Sequence, residues 1–147
     1  MISKSLEEYL KTMYVLKIQS DQIRVTDIAN KLNVSKASVN KAVNNLKDEN
    51  LVNYEAYGSI ELTNEGEELA KKVLEAYDIG VLFFRDVLGL DEEKATNEAE
   101  HLKSAISDEA FNSLAKYVHK ELNLSDLNCA YDINNERCRT CARRVSN

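Results

Sequence analysis

Three cysteines stand close together towards the end of the chain, Cys129, Cys138 and Cys141, spaced C-x8-C-x2-C. A C-x2-C pair is a chelating unit, because two intervening turn residues let both thiolates face one ion. Tetrahedral zinc needs a fourth ligand. His119, ten residues before Cys129, is the first candidate, with Asp132, Glu136 and His101 behind it. The same thiolates suit an iron–sulfur cluster, with a carboxylate or small ligand on the last iron. Arg137, Arg139, Arg143 and Arg144 surround them and favour the thiolate form. Bare redox-active thiols, or an inert tail, are the plainer alternatives. A second set of residues has another chemistry. Arg24, Thr26, Ser35, Lys36, Ser38, Asn40, Lys41 and Asn44 are short polar or cationic side chains grouped in one stretch. Such side chains reach phosphates and base edges in a major groove. Tyr57 and Gly58 follow, placed either to touch a nucleic-acid backbone or merely to shape a turn.

These residues need elements to hold them. The segment VTDIANKLNVSKASVNKAVNNLKDENLV, followed by NYEAYGSIELT, predicts a helix, a tight turn, a second helix and a two-stranded ribbon. That order is the outline of a winged helix-turn-helix, a DNA-reading module. Thr26 is expected to cap its first helix, with Ile28, Ala29 and Leu32 facing inward. Asn33 suits the left-handed turn. Ser35 caps the second, recognition helix, whose Val39, Ala42, Val43 and Leu46 face inward. Lys36, Ser38, Asn40, Lys41 and Asn44 fall on its opposite face. Leu51, Val52 and Tyr54 are expected to form one strand of the wing, and Ile60 and Leu62 the other.

Before the module, Ser5 is placed to cap an amphipathic helix with Leu6, Leu10, Met13, Tyr14 and Ile18 on one apolar face. After it, Thr63 caps a long helix expected to reach about Val87, with Gly89 as its stop. Two more helices start near Asp91 and Ser107. Tyr77, Phe83, Phe84 and Tyr117 recur at helical spacing and read as packing residues.

The 147 residues include no proline and four glycines, a composition that permits a mainly α fold. No apolar run approaches the roughly 20 residues that cross a bilayer, so no membrane partner is expected. The opening MISKSLEEYL is polar and does not read as a signal peptide. A cytoplasmic location is the expectation, where cysteines serve as thiols or ligands. The net charge of −6 argues against nucleic acid until its distribution is read. From residue 24 to 47, Arg24, Lys31, Lys36, Lys41 and Lys47 oppose Asp27 alone, a local charge of +4. An acidic body with one basic face suits a protein that touches phosphate with a single surface.

Several of these segments resemble the iron- and manganese-dependent repressors, of the diphtheria-toxin-repressor and manganese-transport-regulator type. They are SLEEYLKTMYVL, the helix-turn-helix, the wing Y-E-x-Y-G-x-x-x-L-T-x-x-G, and FFRDVLGLDEEKATNEAE. The resemblance covers about residues 3–118. It implies a mainly α fold, with a winged helix-turn-helix over residues 1–63 and an all-helical dimerisation domain over 64–122; the cysteine-containing tail over 123–147 lies outside the resemblance. It also implies a homodimer on a palindromic, double-stranded operator, repressing metal-homeostasis or related genes under control of a divalent metal.

The family's metal ligands carry over only in part. Its first helix offers two ligands one turn apart; here they are Glu8 and Lys11. The helix after the wing offers a histidine, where this chain has Tyr77, and the iron branch's second ligand there falls on Val81. The later helix offers a Glu or Cys and then a Glu-His pair; here Glu100 is followed by Lys103 and Ser104, and Thr96 stands where the iron branch has a histidine. Manganese or iron is therefore not expected at this pocket. Lys11 and Lys103 can instead pair with Glu8 and Glu100 as a permanent salt-bridge lock between the two halves, or the pocket has simply drifted. The alternative to a DNA-binding regulator is a winged-helix protein-interaction module without DNA binding. An enzyme is not expected: there is no glycine-rich phosphate loop and no nucleophile with a base at a recognisable spacing.

Overall fold

The computed structural model describes residues 2–54 and 59–123, with only the backbone of residue 104. The chain forms two compact units, Met1–Val73 and Leu74–Asn147.

The first unit opens with α1, Lys4–Ser20. Ser3, not Ser5, caps it: the Ser3 side chain accepts from the Leu6 amide at 3.2 Å. Its buried face is formed by Tyr9, Leu10, Met13 and Leu16. Ile18, expected on that face, is 64% exposed, because it follows the buried Leu16 by two residues, about 200° round the helix. Next comes α2, Val25–Leu32. Thr26 is not its cap. Arg24 stands there in an extended conformation without a side-chain cap bond, and Thr26 lies inside the first turn. Asn33 ends α2 with φ 54°, in the left-handed region. The recognition helix α3, Lys36–Asp48, buries Val39, Ala42, Val43 and Leu46. The wing strands β1, Val52–Tyr54, and β2, Ile60–Leu62, pair antiparallel with Val52 opposite Leu62. Leu51 is buried but lies outside β1; its carbonyl accepts from the Thr63 amide at 3.1 Å, at the far end of the ribbon. The Ile60 amide donates to Ile23 O at 3.4 Å and ties the wing to the segment before α2.

Thr63 starts α4, Asn64–Leu82, accepting from the Gly66 amide at 3.0 Å. A Cβ on Gly66 would collide with the Leu51 carbonyl, so the close packing of helix and wing requires glycine there. Beyond Leu82 the coil widens into a π-helical turn, Phe83–Val87, instead of continuing as α-helix to Val87. Gly89, at φ 79°, ends it. Then follow α5, Glu92–Ala105, capped by Asp91, and α6, Asp108–Glu121, capped by Ser107. The second core gathers Ala76, Ile79, Leu82, Phe111, Ala115 and Val118. Ala99 on α5 comes so near Gly80 on α4 that a Cβ at residue 80 would lie 3.0 Å from it.

Candidate nucleic-acid interface

Two physical features build the exposed face of α3. The apolar side chains at helical spacing must be buried, and Val39 and Val43 are fully so. That rotation leaves Lys36, Ser38, Asn40, Lys41 and Asn44 exposed. The Ser35 hydroxyl accepts from the Ser38 amide at 3.1 Å and donates to the Ser38 hydroxyl at 2.9 Å. These bonds satisfy one of the first-turn amides, and the others remain in an exposed, locally positive helix end. Arg24 and Thr26 are exposed at the start of α2, and the Arg24 guanidinium donates to the Gln22 amide oxygen. Lys47 reaches from the end of α3 to the wing and donates to the Tyr54 carbonyl at 3.1 Å. Tyr57 and Gly58, at the wing's turn, lie outside the described residues.

A bond that sequence reading missed also joins helix and wing. The Tyr54 hydroxyl donates to Asn40 Oδ1 at 3.2 Å. Strand alternation carries no sign of it, since which cross-element pair meets is set by how the ribbon crosses the helix.

The residues at the family's ligand positions fall into both units. In the first, Lys11 Nζ lies 3.2 Å from Glu8 Oε1 on α1, and its side chain is only 10% exposed. In the second, Tyr77 and Lys103 are half-buried and Glu100 is exposed. Nothing is described of the Ser104 side chain. Sequence reading overlooked Glu75 and Asp78, both buried on α4. They were legible as two carboxylates inside the apolar run VLEAYDIGVLFF. Each has an interaction partner, as do Lys11, Tyr77 and Lys103. His119 is buried near the end of α6, and Cys129, Cys138 and Cys141 lie outside the described residues. Among the described residues, no three His, Cys, Asp or Glu side chains gather as a metal site. No described helix is long and apolar enough to cross a membrane.

Known proteins match this arrangement across both units. Residues 1–60 match the iron dependent repressor N-terminal DNA binding domain, and residues 63–121 match the iron dependent repressor metal binding and dimerisation domain. An uncharacterised HTH-type transcriptional regulator of Methanocaldococcus jannaschii is 37% identical over 120 residues, covering 81% of this chain and 96% of that protein. The HTH-type transcriptional regulator MntR of Bacillus subtilis is 36% identical over 108 residues, 73% of this chain and 75% of that one. The solved structure of the manganese regulator SloR superposes with a TM-score of 0.67 at 28% identity, over 83% of this chain. IdeR of T. acidophilum has a similar fold, with a TM-score of 0.68 at 20% identity over 84% of this chain. The chain spans 55% of the length of each of these two structures. With both family domains matched in order, the chain belongs to the iron-dependent repressor family of DNA-binding, dimerising transcriptional regulators.

Proposed function

We propose that the chain is a homodimeric repressor that binds a palindromic operator through α3 and the wing, and that regulates metal-homeostasis or related genes. In this reading residues 1–63 bind DNA, residues 64–122 dimerise, and residues 123–147 form a sensing tail. One observation carries the DNA reading: α3 buries its whole apolar stripe and turns Lys36, Ser38, Asn40, Lys41 and Asn44 to solvent. Arg24, Thr26, Ser35, Tyr57 and Gly58 complete the assigned contact set. The test is fluorescence anisotropy over a salt series, on a duplex selected from a random library. Each phosphate contact adds about −0.9 to the slope of log K against log salt. A steep slope is expected. An affinity indifferent to salt would leave a protein-interaction module in its place.

The residues at the family pocket do not fit a divalent cation. The Glu8 carboxylate already faces a buried ammonium group at 3.2 Å, and the ligand-bearing types are replaced at Lys11, Tyr77, Lys103 and Ser104. A second positive ion beside Lys11 would be repelled, and the lysine has no lone pair to offer while charged. Lys11 supplies the positive charge beside Glu8 in the first unit, and Lys103 with Glu100 holds the corresponding family positions in the second. A Lys11→Ala, Lys103→Ala double variant is then expected to lose stability and operator affinity; if both are unchanged, the charge-replacement reading is wrong.

The effector response is assigned to Cys129, Cys138 and Cys141, with His119 as fourth ligand, holding zinc or an iron–sulfur cluster. The support is chemical: ligand types are missing at one place and gathered at another. Metal, iron and acid-labile sulfide analysis of anaerobically purified protein tests it, together with Cys138→Ser. Unchanged metal content and effector response in that variant would remove the tail from the mechanism.

A further inference from the structure

Asn40 stands at the edge of the α3 face nearest the wing, one turn from Lys36 and one turn from Asn44. An asparagine amide is ambiguous in recognition. It offers two N–H donors and a carbonyl acceptor, and a half-turn about its last torsion exchanges them. Here the Tyr54 hydroxyl donates to Asn40 Oδ1 and takes one of its two lone pairs. Tyr54 is itself held. It is half-buried against the first core, its strand pairs with Ile60, and its carbonyl accepts from Lys47 Nζ at 3.1 Å. A positioned phenol therefore points the amide Nδ2 away from the wing.

We infer that Tyr54 is a positioning residue that fixes the Asn40 amide as a hydrogen-bond donor to DNA. The inference rests on the reading of α3 as the DNA-contacting helix. Its consequence is chemical selectivity: Asn40 seeks an acceptor atom. Purine N7, guanine O6 and a phosphate oxygen all qualify. The two-bond pairing of asparagine with adenine requires Oδ1 to accept from the adenine amino group. Oδ1 keeps a second lone pair beside the one Tyr54 takes, so that pairing stays open as well.

The experiment uses the full chain and the selected duplex. Single purines are replaced by 7-deazapurines, single guanines by 2-aminopurine, and single linkages by methylphosphonates. Loss of one good contact is expected to weaken wild-type binding about tenfold at one position. A drop with 7-deazapurine or 2-aminopurine places the acceptor on a base edge; a drop with methylphosphonate places it on the backbone. Asn40→Ala is expected to erase that position's effect. Asn40→Asp still accepts from Tyr54 but has no N–H, so it is expected to bind at least about tenfold more weakly with an unchanged melting temperature. Tyr54→Phe is expected to fold normally and to lessen the effect severalfold.

Two results overturn the inference: Tyr54→Phe keeps the full effect at the same position, or no position depends on Asn40. Absence of salt-dependent DNA binding by the wild type is a different failure, since it removes the DNA reading itself.

Discussion

Glu67 accepts from Lys17 Nζ at 3.0 Å, and Lys71 Nζ lies 3.3 Å from its other oxygen. Lys17, then Lys71, hold its carboxyl below the ordinary 4.5. A carboxylate that binds its proton more weakly when folded stabilises the fold above the unfolded pKa. That contribution disappears as pH falls below 4.5 through the lowered folded value. Glu67→Gln should therefore flatten the acid limb of stability in this window. At neutral pH it should cost about 1 kcal/mol or less, because the three side chains are partly solvated. Thermal melts across pH check both. On the exposed face of α3, Lys41→Ala should weaken DNA binding across all sequences and lower the salt slope by about 1. Asn44→Ala should instead cost about 1–3 kcal/mol at the preferred sequence and relax selectivity at one base pair. Anisotropy titrations separate the two, since phosphate and base contacts differ in salt dependence.

Caps set the elements. Ser35, Asp91 and Ser107 each accept an amide bond in the first turn of α3, α5 and α6, at 3.1, 2.9 and 3.1 Å. Ser35→Ala should cost about 1 kcal/mol by thermal or urea unfolding. Ser35 was legible as a cap, while Asp91 and Ser107 were legible only as the starts of helices. Ser5 and Thr26 were misread. A serine or threonine near a helix start names the region, but the cap is whichever residue keeps extended backbone, here Ser3 and Arg24. The end of α4 was misread for another reason. Composition shows that a helix persists through FFRDV, while the π-helical path there belongs to local packing. Arg85 bonds Asp86 and Glu92 at 2.9 Å each, pinning that turn to the start of α5. Gly66→Ala should destabilise strongly, because α4 and the Leu51 carbonyl would have to separate; a circular-dichroism melt suffices to see it.

At the scale of the whole molecule, the dimerising unit and the DNA-binding unit follow one another along a single chain. Residue types at the family's ligand positions lead to a further prediction. Operator affinity should not rise on adding manganese, as read by anisotropy with and without the added metal. A large gain with manganese would refute internal charge replacement by Lys11 and Lys103.

The amino-acid sequence by itself determined the order of helices, the winged helix-turn-helix, the polar stripe of α3 and the cysteine spacing. All of these depend on periodicity and residue type along a short stretch of chain. Only tertiary structure decided that Lys11 is buried beside Glu8, that Glu75 and Asp78 are buried on α4, that Ile18 is exposed, and that Tyr54 holds Asn40. Each of these turns on which faces meet after the chain bends, and on a few ångströms of approach. Spacing along a sequence carries no measure of that distance.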